Sequence, residues 1–163
     1  MTSPNPVLKI RKAVQADLPA IVAMLADDVL GAARERPEDA PLYETAWRQI
    51  EAQRGNDVLV AELPEGVVGC LQLIVIPGLA RQGALRAQIE GVRVASTHRG
   101  QEIGERMIAF AIDTARAAGC RLVQLTTDKR RTAAHRFYER LGFEATHEGM
   151  KLELVGAPVS LNG

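Results

Sequence analysis

Three stretches of the chain carry side chains fit for acid–base work or for holding an anion. The first is Val92-Arg93-Val94-Ala95-Ser96-Thr97-His98-Arg99-Gly100-Gln101-Glu102-Ile103-Gly104, where an apolar strand runs through a short loop into a helix start. Backbone N–H groups in the first helical turn lack intrahelical partners, and the helix dipole adds partial positive charge there. Gly100 and Gly104 let an anion approach the backbone, and a pyrophosphate would fit such a nest. A strand–helix connection whose glycines serve only the turn accounts for the spacing equally well. The second stretch is Ile89-Glu90-Gly91, with a carboxylate on an otherwise apolar strand. Burying a carboxylate without a partner is costly. Glu90 is therefore either a base that takes a proton from an amine or half of an ion pair with Arg93 or Arg86. Strict alternation puts Glu90, Val92 and Val94 on one face and Arg93 on the other, a count that a bulge would change. The third stretch is a helix bearing Ala134, Phe137, Tyr138 and Leu141 at helical spacing. The Tyr138 phenol can protonate a leaving group, or its ring can simply belong to the apolar stripe. Before it, Asp128-Lys129-Arg130-Arg131, with His135, Arg136 and Arg140, forms the densest basic patch, either an anion site or a solvated helix start.

These groups must be positioned by a framework that hydrophobic periodicity makes visible. Strands are expected over Val7–Val14, Asp57–Leu63, Val67–Pro77, Ala87–Ala95 and Arg121–Thr127, with one or two more in Phe143–Val155. Helices are expected over Asp17–Leu30, Pro41–Arg54, Gln101–Ala118 and Thr132–Leu141, with Asp17 as an N-cap and Pro19 in the first turn. The apolar helical positions Leu18, Ile21, Val22, Leu25 and Val29, then Leu42, Ala46, Trp47 and Ile50, then Ile103, Met107, Phe110 and Ala111, are the candidate core. The hairpin signal Pro64-Glu65-Gly66 joins the second and third strands, and the third is nearly all apolar, like a central strand. The order β-α-α-β-β-β-α-β-α-β implies an α/β (α+β) fold: a mixed sheet with helices on both faces, in one domain over 1–163.

Composition narrows the function. The 163 residues are 47% hydrophobic and balance 20 basic against 20 acidic side chains. That neutrality argues against nucleic acid as a partner, because such binders need clustered basic charge. No apolar run is long enough to cross a bilayer, and Met1–Pro6 reads as a polar, disordered tail rather than a signal peptide. Cys70 and Cys120 have neither CxxC nor metal-ligand spacing and read as small core residues; His135 and His147 lack metal-ligand partners at helical spacing, so no metal is expected and the cytoplasm is the expected compartment. His98 reads as a surface residue.

Arg99-Gly100-Gln101-Glu102-Ile103-Gly104 resembles the Arg/Gln-x-x-Gly-x-Gly/Ala signature of the GNAT superfamily of acyl-CoA-dependent N-acetyltransferases. Ala134 to Phe143, with Tyr138 followed by Leu141-Gly142-Phe143, is similar to that family's second block. The resemblance spans Val7 to Leu154 and implies a GNAT-like, mostly antiparallel mixed sheet of six to seven strands flanked by about four helices. It implies acetyl-CoA as cosubstrate. Arg99 and the amides of Gly100, Gln101, Glu102, Ile103 and Gly104 would hold the pyrophosphate. The strand edge at Val92 and Val94 would pair with the pantetheine, and Arg131 and Ala134 would complete the donor site. Tyr138 becomes the general acid and Glu90 the base. Two positions depart from the family pattern. Glu102 stands at the first motif glycine, and Arg131 stands where an asparagine is common. As a first-turn residue, Glu102 would favour the helix dipole by about 0.3–1 kcal/mol, and glycine there would cost about 1 kcal/mol of helix propensity.

The acceptor is expected to be the primary amine of a small molecule. Asp27–Glu44 holds six acidic residues against Arg34 and Arg36, a charge balance suited to a cationic amine. Arg81, Arg86 and Arg93 would instead suit a carboxylate or phosphonate, and a zwitterion would satisfy both sets. A non-catalytic acyl-CoA-binding regulatory module and a protein-directed acetyltransferase are the alternatives. Lys151–Val155 reads as an exposed edge strand, and with the resemblance it implies a homodimer.

Overall fold

The structure is a computed structural model that describes residues 7–155, so the expected tail at 1–6 lies outside the described residues. The described chain divides into two compact units, one up to Leu125 and one from Thr126 onward.

The first unit is built on a five-stranded sheet in the order β1-β2-β3-β4-β5. Its strands are β1 (Lys9–Lys12), β2 (Asn56–Leu63), β3 (Gly66–Ile76), β4 (Arg86–Val94) and β5 (Leu122–Leu125). The first three pairings are antiparallel and β4–β5 is parallel. Helices α1 (Leu18–Ala26) and α2 (Ala40–Ala52) lie between β1 and β2, and α3 (Ile103–Ala117) forms the crossover from β4 to β5. The apolar centre is β3, where Cys70 and Leu71 are each 1% exposed.

Register assigns the two faces. Val60 pairs with Cys70, and both pack with Ile21 and Met24 of α1. The opposite face carries Gly69, where a Cβ would come within 2.6 Å of the Met107 sulfur of α3. Buried Ile103, Met107, Ile108, Ala111 and Ala115 form the inward stripe of α3. Helices therefore cover both faces of this sheet, as the periodicity implies.

The second unit holds α4 (Thr132–Arg140). Within it, Tyr138 packs edge-on against Phe137 at 5.1 Å and Phe143 at 5.8 Å between ring centroids. Lys129 bonds Glu148 at 2.8 Å.

Several expectations change. The sheet has five strands among the described residues, not six or seven, and Phe143–Val155 forms no strand. Alternation alone does not make a strand; a ladder partner is needed, and no described residue supplies one to this segment. The expected edge strand at Lys151–Val155 is thus absent, and Met150 and Leu154 stand 95% and 90% exposed. The first helix stops at Ala26, which leaves Val29 89% exposed; Leu42 and Phe110 also face outward. Asp17 makes no capping bond to the helix. Its carboxylate instead accepts two bonds from Arg11 and one from the Val14 N–H. Cys70 is a buried core residue, whereas Cys120 is half-buried; both are free thiols.

Candidate active site

The site in the first unit starts from an irregularity in β4. Gln72 pairs with Glu90 and Cys70 with Arg93, so three steps along β4 match two along β3. The surplus residue lies at Gly91-Val92, and Gly91 takes φ +60°, which glycine adopts without Cβ strain. The bulge overturns the strict alternation. Arg93 shares the α1 face with Glu90, and Val94, paired with Gly69, lies on the α3 face.

Glu90 is exposed, and no hydrogen bond or ion pair to it is present among the described residues. The alternative pairing with Arg93 does not form: Arg93 Nη2 lies 3.5 Å from the Asp28 carboxylate, and Nη1 donates to Val92 O at 2.8 Å. Nor does Arg86 take the carboxylate; its Nε is buried with no hydrogen-bond partner among the described residues.

Pairing with β5 covers only Arg86–Ile89. From Glu90 to Val94 the strand is bonded to β3 alone, so its other edge has no strand beside it among the described residues. That edge leads into the anion-binding candidate. Gly100 has φ +78°, and Glu102, the N-cap residue of α3, has φ +59°. The first helical bond runs from Arg106 N–H to Glu102 O, so the preceding amides have no i−4 partner within the helix. The N–H groups of Gln101, Ile103 and Gly104 have no backbone acceptor among the described residues, and two left-handed residues in alternation shape an anion nest. The expectation that Glu102 belongs to the first turn is corrected. It precedes the helix in a conformation that side chains other than glycine adopt at a cost, which gives the glycine of the signature a physical reason.

Arg99 is exposed but tethered. Its Nη2 donates to Asp27 O at 3.1 Å and lies 3.9 Å from the Asp27 carboxylate, while Nε contacts Val94 O at 3.3 Å. The acidic segment after α1 is thus partly neutralised: Asp27 faces Arg99, Asp28 faces Arg93, and Glu35 accepts from the Tyr43 hydroxyl at 2.9 Å. Sequence reading missed these pairings because charge counts carry no partner information. His98 bonds Glu65 at 3.0 Å on the surface; a backbone hydrogen bond first, and the His98 contact second, hold the Glu65 carboxyl below its ordinary range.

In the second unit, Arg131 is the N-cap residue of α4, Ala134 lies in the first turn, and Tyr138 is half-buried one turn further on. Much of the basic patch is engaged. Arg130 holds Asp128 through two side-chain bonds, keeping that carboxyl far below the usual range, and His135 contacts Asp128 O at 3.2 Å. No group of three or more His, Cys, Asp or Glu arranged for a metal occurs among the described residues. No helix among them is long and apolar enough to cross a membrane.

The first unit thus combines a bulged strand with an open edge and, directly after it, a glycine-rich helix start. The sequence model of the acetyltransferase (GNAT) family matches residues 20–143, and the chain belongs to that family; it is an acetyl-CoA-dependent N-acetyltransferase. A glucosamine 6-phosphate N-acetyltransferase of Trypanosoma brucei brucei is 30% identical over 132 residues, 78% of this chain and 86% of that protein. An aminoalkylphosphonate N-acetyltransferase of Salmonella typhimurium is 42% identical over 60 residues, 37% of this chain and 39% of that protein. Among solved structures, one described as a transcriptional regulator from Bacillus halodurans is 48% identical, with a TM-score of 0.88 over 91% of this chain and 100% of that one.

Proposed function

We propose that the protein moves the acetyl group of acetyl-CoA to the primary amine of a small molecule by direct attack within a ternary complex. The observation that carries this reading is the end of β4. There an open strand edge, the bulge at Gly91 and an exposed Glu90 with no side-chain partner among the described residues lead along the chain into the Gly100–Gly104 nest. Arg99 and the amides of Gly100, Gln101, Glu102, Ile103 and Gly104 would bind the diphosphate. The β4 edge at Val92 and Val94 would take the pantetheine amides as an added strand, and the Val94 N–H would polarise the thioester carbonyl. Arg131 and Ala134 at the start of α4 would complete the donor site.

Most amines are protonated at pH 7, so the acceptor must lose a proton before it attacks. Glu90 takes that proton, directly or through water. The C–N bond forms, the C–S bond breaks, the Tyr138 hydroxyl protonates the departing thiolate, and the second proton shed by the acylated nitrogen restores the phenol. The names of two relatives support a small amine that also carries a phosphate or phosphonate as the acceptor.

The matched span of 20–143 runs across both compact units, which supports reading 1–163 as one N-acetyltransferase domain. The exposure of Met150, Leu152, Leu154 and Val155 supports a homodimer, since a partner would remove these apolar side chains from water. Two free thiols suit a cytoplasmic location.

A thiol-release assay with acetyl-CoA and a panel of small amines, amino phosphates and protein substrates tests the assignment. Glu90→Gln should lower the rate most at low pH, where the acceptor is most protonated. Turnover only on proteins would overturn the small-molecule reading, and a loss equal at all pH values would remove Glu90 as the base.

A further inference from the structure

The end of α1 is clasped to the end of β4 by two arginines of different character. Arg93 and Asp28 are 14% and 19% exposed at the side chain, 3.5 Å apart, and Arg93 also holds Val92 O. Arg99 and Asp27 are both 56% exposed. Arg99 bridges two elements at once, with Nη2 on Asp27 O and Nε on Val94 O. Asp27 closes α1 and opens the acidic segment that runs to α2. Gly31 fixes the path of that segment, because a Cβ there would lie 2.0 Å from Leu25 O.

We propose that Arg99 is an exchangeable latch. In the donor-free chain it ties Asp27 to the β4 edge, and an incoming diphosphate draws it away, loosening the 27–35 segment while Arg93–Asp28 keeps that segment in register. The inference rests on the assignment of Arg99–Gly104 to the diphosphate. A doubly charged anion outcompetes one exposed carboxylate and two carbonyls for a guanidinium, because charge-assisted bonds to phosphate are the stronger ones. The exposed pair is weak enough to exchange, and the half-buried pair is the one better placed to persist. Leaving the latch also uncovers Val94 O on the edge assigned to pantetheine.

The test is a double-mutant cycle on the full-length protein with CoA as the probe, read by calorimetry, for wild type, Asp27→Asn, Arg99→Gln and the double variant. The latch predicts that Arg99→Gln weakens CoA and that Asp27→Asn tightens it about two- to five-fold, a gain that vanishes in the Arg99→Gln background. An equal gain in both backgrounds would mean that Asp27 acts only as a repelling charge, which overturns the latch. No gain in either, with Arg99→Gln still weakening CoA, also overturns it while leaving the diphosphate assignment intact. If Arg99→Gln does not change CoA affinity, Arg99 has no part in donor binding and the latch fails with that part of the assignment. Hydrogen exchange supplies the second readout. The Ala32, Arg34 and Glu35 amides, bonded to Asp28 and Gly31 carbonyls, should exchange faster in wild type when CoA is bound. Slower or unchanged exchange there would overturn the proposal.

Discussion

Glu102 gives the most discriminating single test. Its φ of +59° and ψ of 9° place it in the left-handed region at the N-cap of α3, exposed and without a side-chain capping bond. An L-residue in that region costs about 1–2 kcal/mol. Glycine removes this cost but gives back roughly 0.4–1 kcal/mol through the entropy of the unfolded chain. Loss of the favourable carboxylate–dipole contact takes another ~0.3–1 kcal/mol at low salt and less as salt rises. Glu102→Gly should therefore be close to neutral at low salt and stabilising by about 0.5 kcal/mol in salt, some 1–2 °C in Tm for a chain of this size. Comparison with Glu102→Ala isolates the backbone, since both variants lose the charge. At a left-handed N-cap, glycine should be more stable than alanine by about 1 kcal/mol. In an ordinary first turn, alanine would win by about 1 kcal/mol. The assay is thermal melting of both variants at low and high salt, with and without acetyl-CoA. Both should also bind acetyl-CoA a few-fold more tightly at low salt. A carboxylate ~7 Å from one phosphate charge costs at most about 2.4 kcal/mol at an effective dielectric of ~20, and exposure reduces this below about 1 kcal/mol. Alanine more stable than glycine would refute the left-handed assignment. Unchanged affinity in both variants would show that the carboxylate points away from the diphosphate.

Three further outcomes follow from the same geometry. Tyr138→Phe keeps the ring contacts with Phe137 and Phe143 and removes only the hydroxyl, so kcat should fall roughly 10–1000-fold; a stability loss with unchanged kcat would make Tyr138 a packing residue. Gly69→Ala drives a Cβ against the fully buried Met107 sulfur and should destabilise by about 1–3 kcal/mol, with weaker acetyl-CoA binding because α3 must shift; an unchanged Tm would sink the close-packing argument. Arg11 bonds both Asp17 and Glu62 and holds the two carboxyls below their ordinary range. Because the folded-state values are depressed, this stability is present above the unfolded value of about 4 and is lost as pH falls through the folded values. Asp17→Asn should cost about 1–3 kcal/mol at pH 7 and flatten the fall in Tm below pH 4, and an acid limb parallel to wild type would contradict it.

Most of the first unit is legible in the sequence because its elements obey one local rule each. The apolar run of β3, the period of α3 and the glycine after it fix their own bounds to within a few residues. What was not legible depends on partners. Met150, Leu152 and Leu154 alternate like a strand, yet a strand exists only beside another, and the chain up to Val155 offers none. The face of Arg93 was misplaced because one extra residue at Gly91-Val92 inverts every position after it. Asp27 and Asp28 were read as free charge for an amine, and only their distances to Arg99 and Arg93 show what they hold. Glu102 was placed inside the helix because residue type says nothing of φ. The family glycine at that position was the available signal, since a conserved glycine most often marks a left-handed residue.

The open half of β4 raises a problem of its own, and the arginines answer it. An unpaired strand edge is a template for association with other chains. The five residues from Glu90 to Val94 cannot be closed by β5 if the pantetheine is to pair there. Placing a charged side chain on the edge itself is a common remedy, and here the chain goes further: Arg93 donates to Val92 O and Arg99 to Val94 O, so two carbonyls along the edge are already satisfied by cations. A strand from another protein would have to displace both guanidinium groups, and its backbone amides are uncharged and would not neutralise them. A donor with a diphosphate displaces one and neutralises it in the same event. On the proposed latch, the edge would select an extended ligand that carries its own phosphate charge. Truncating the donor to its pantetheine portion should accordingly lose more affinity than the diphosphate contacts alone predict, because the fragment must compete with Arg99 for Val94 O. That excess should disappear in Arg99→Gln, where nothing covers the carbonyl. Pantetheine alone, which lacks the diphosphate, should therefore bind Arg99→Gln more tightly than wild type, and equal or weaker binding would refute the argument.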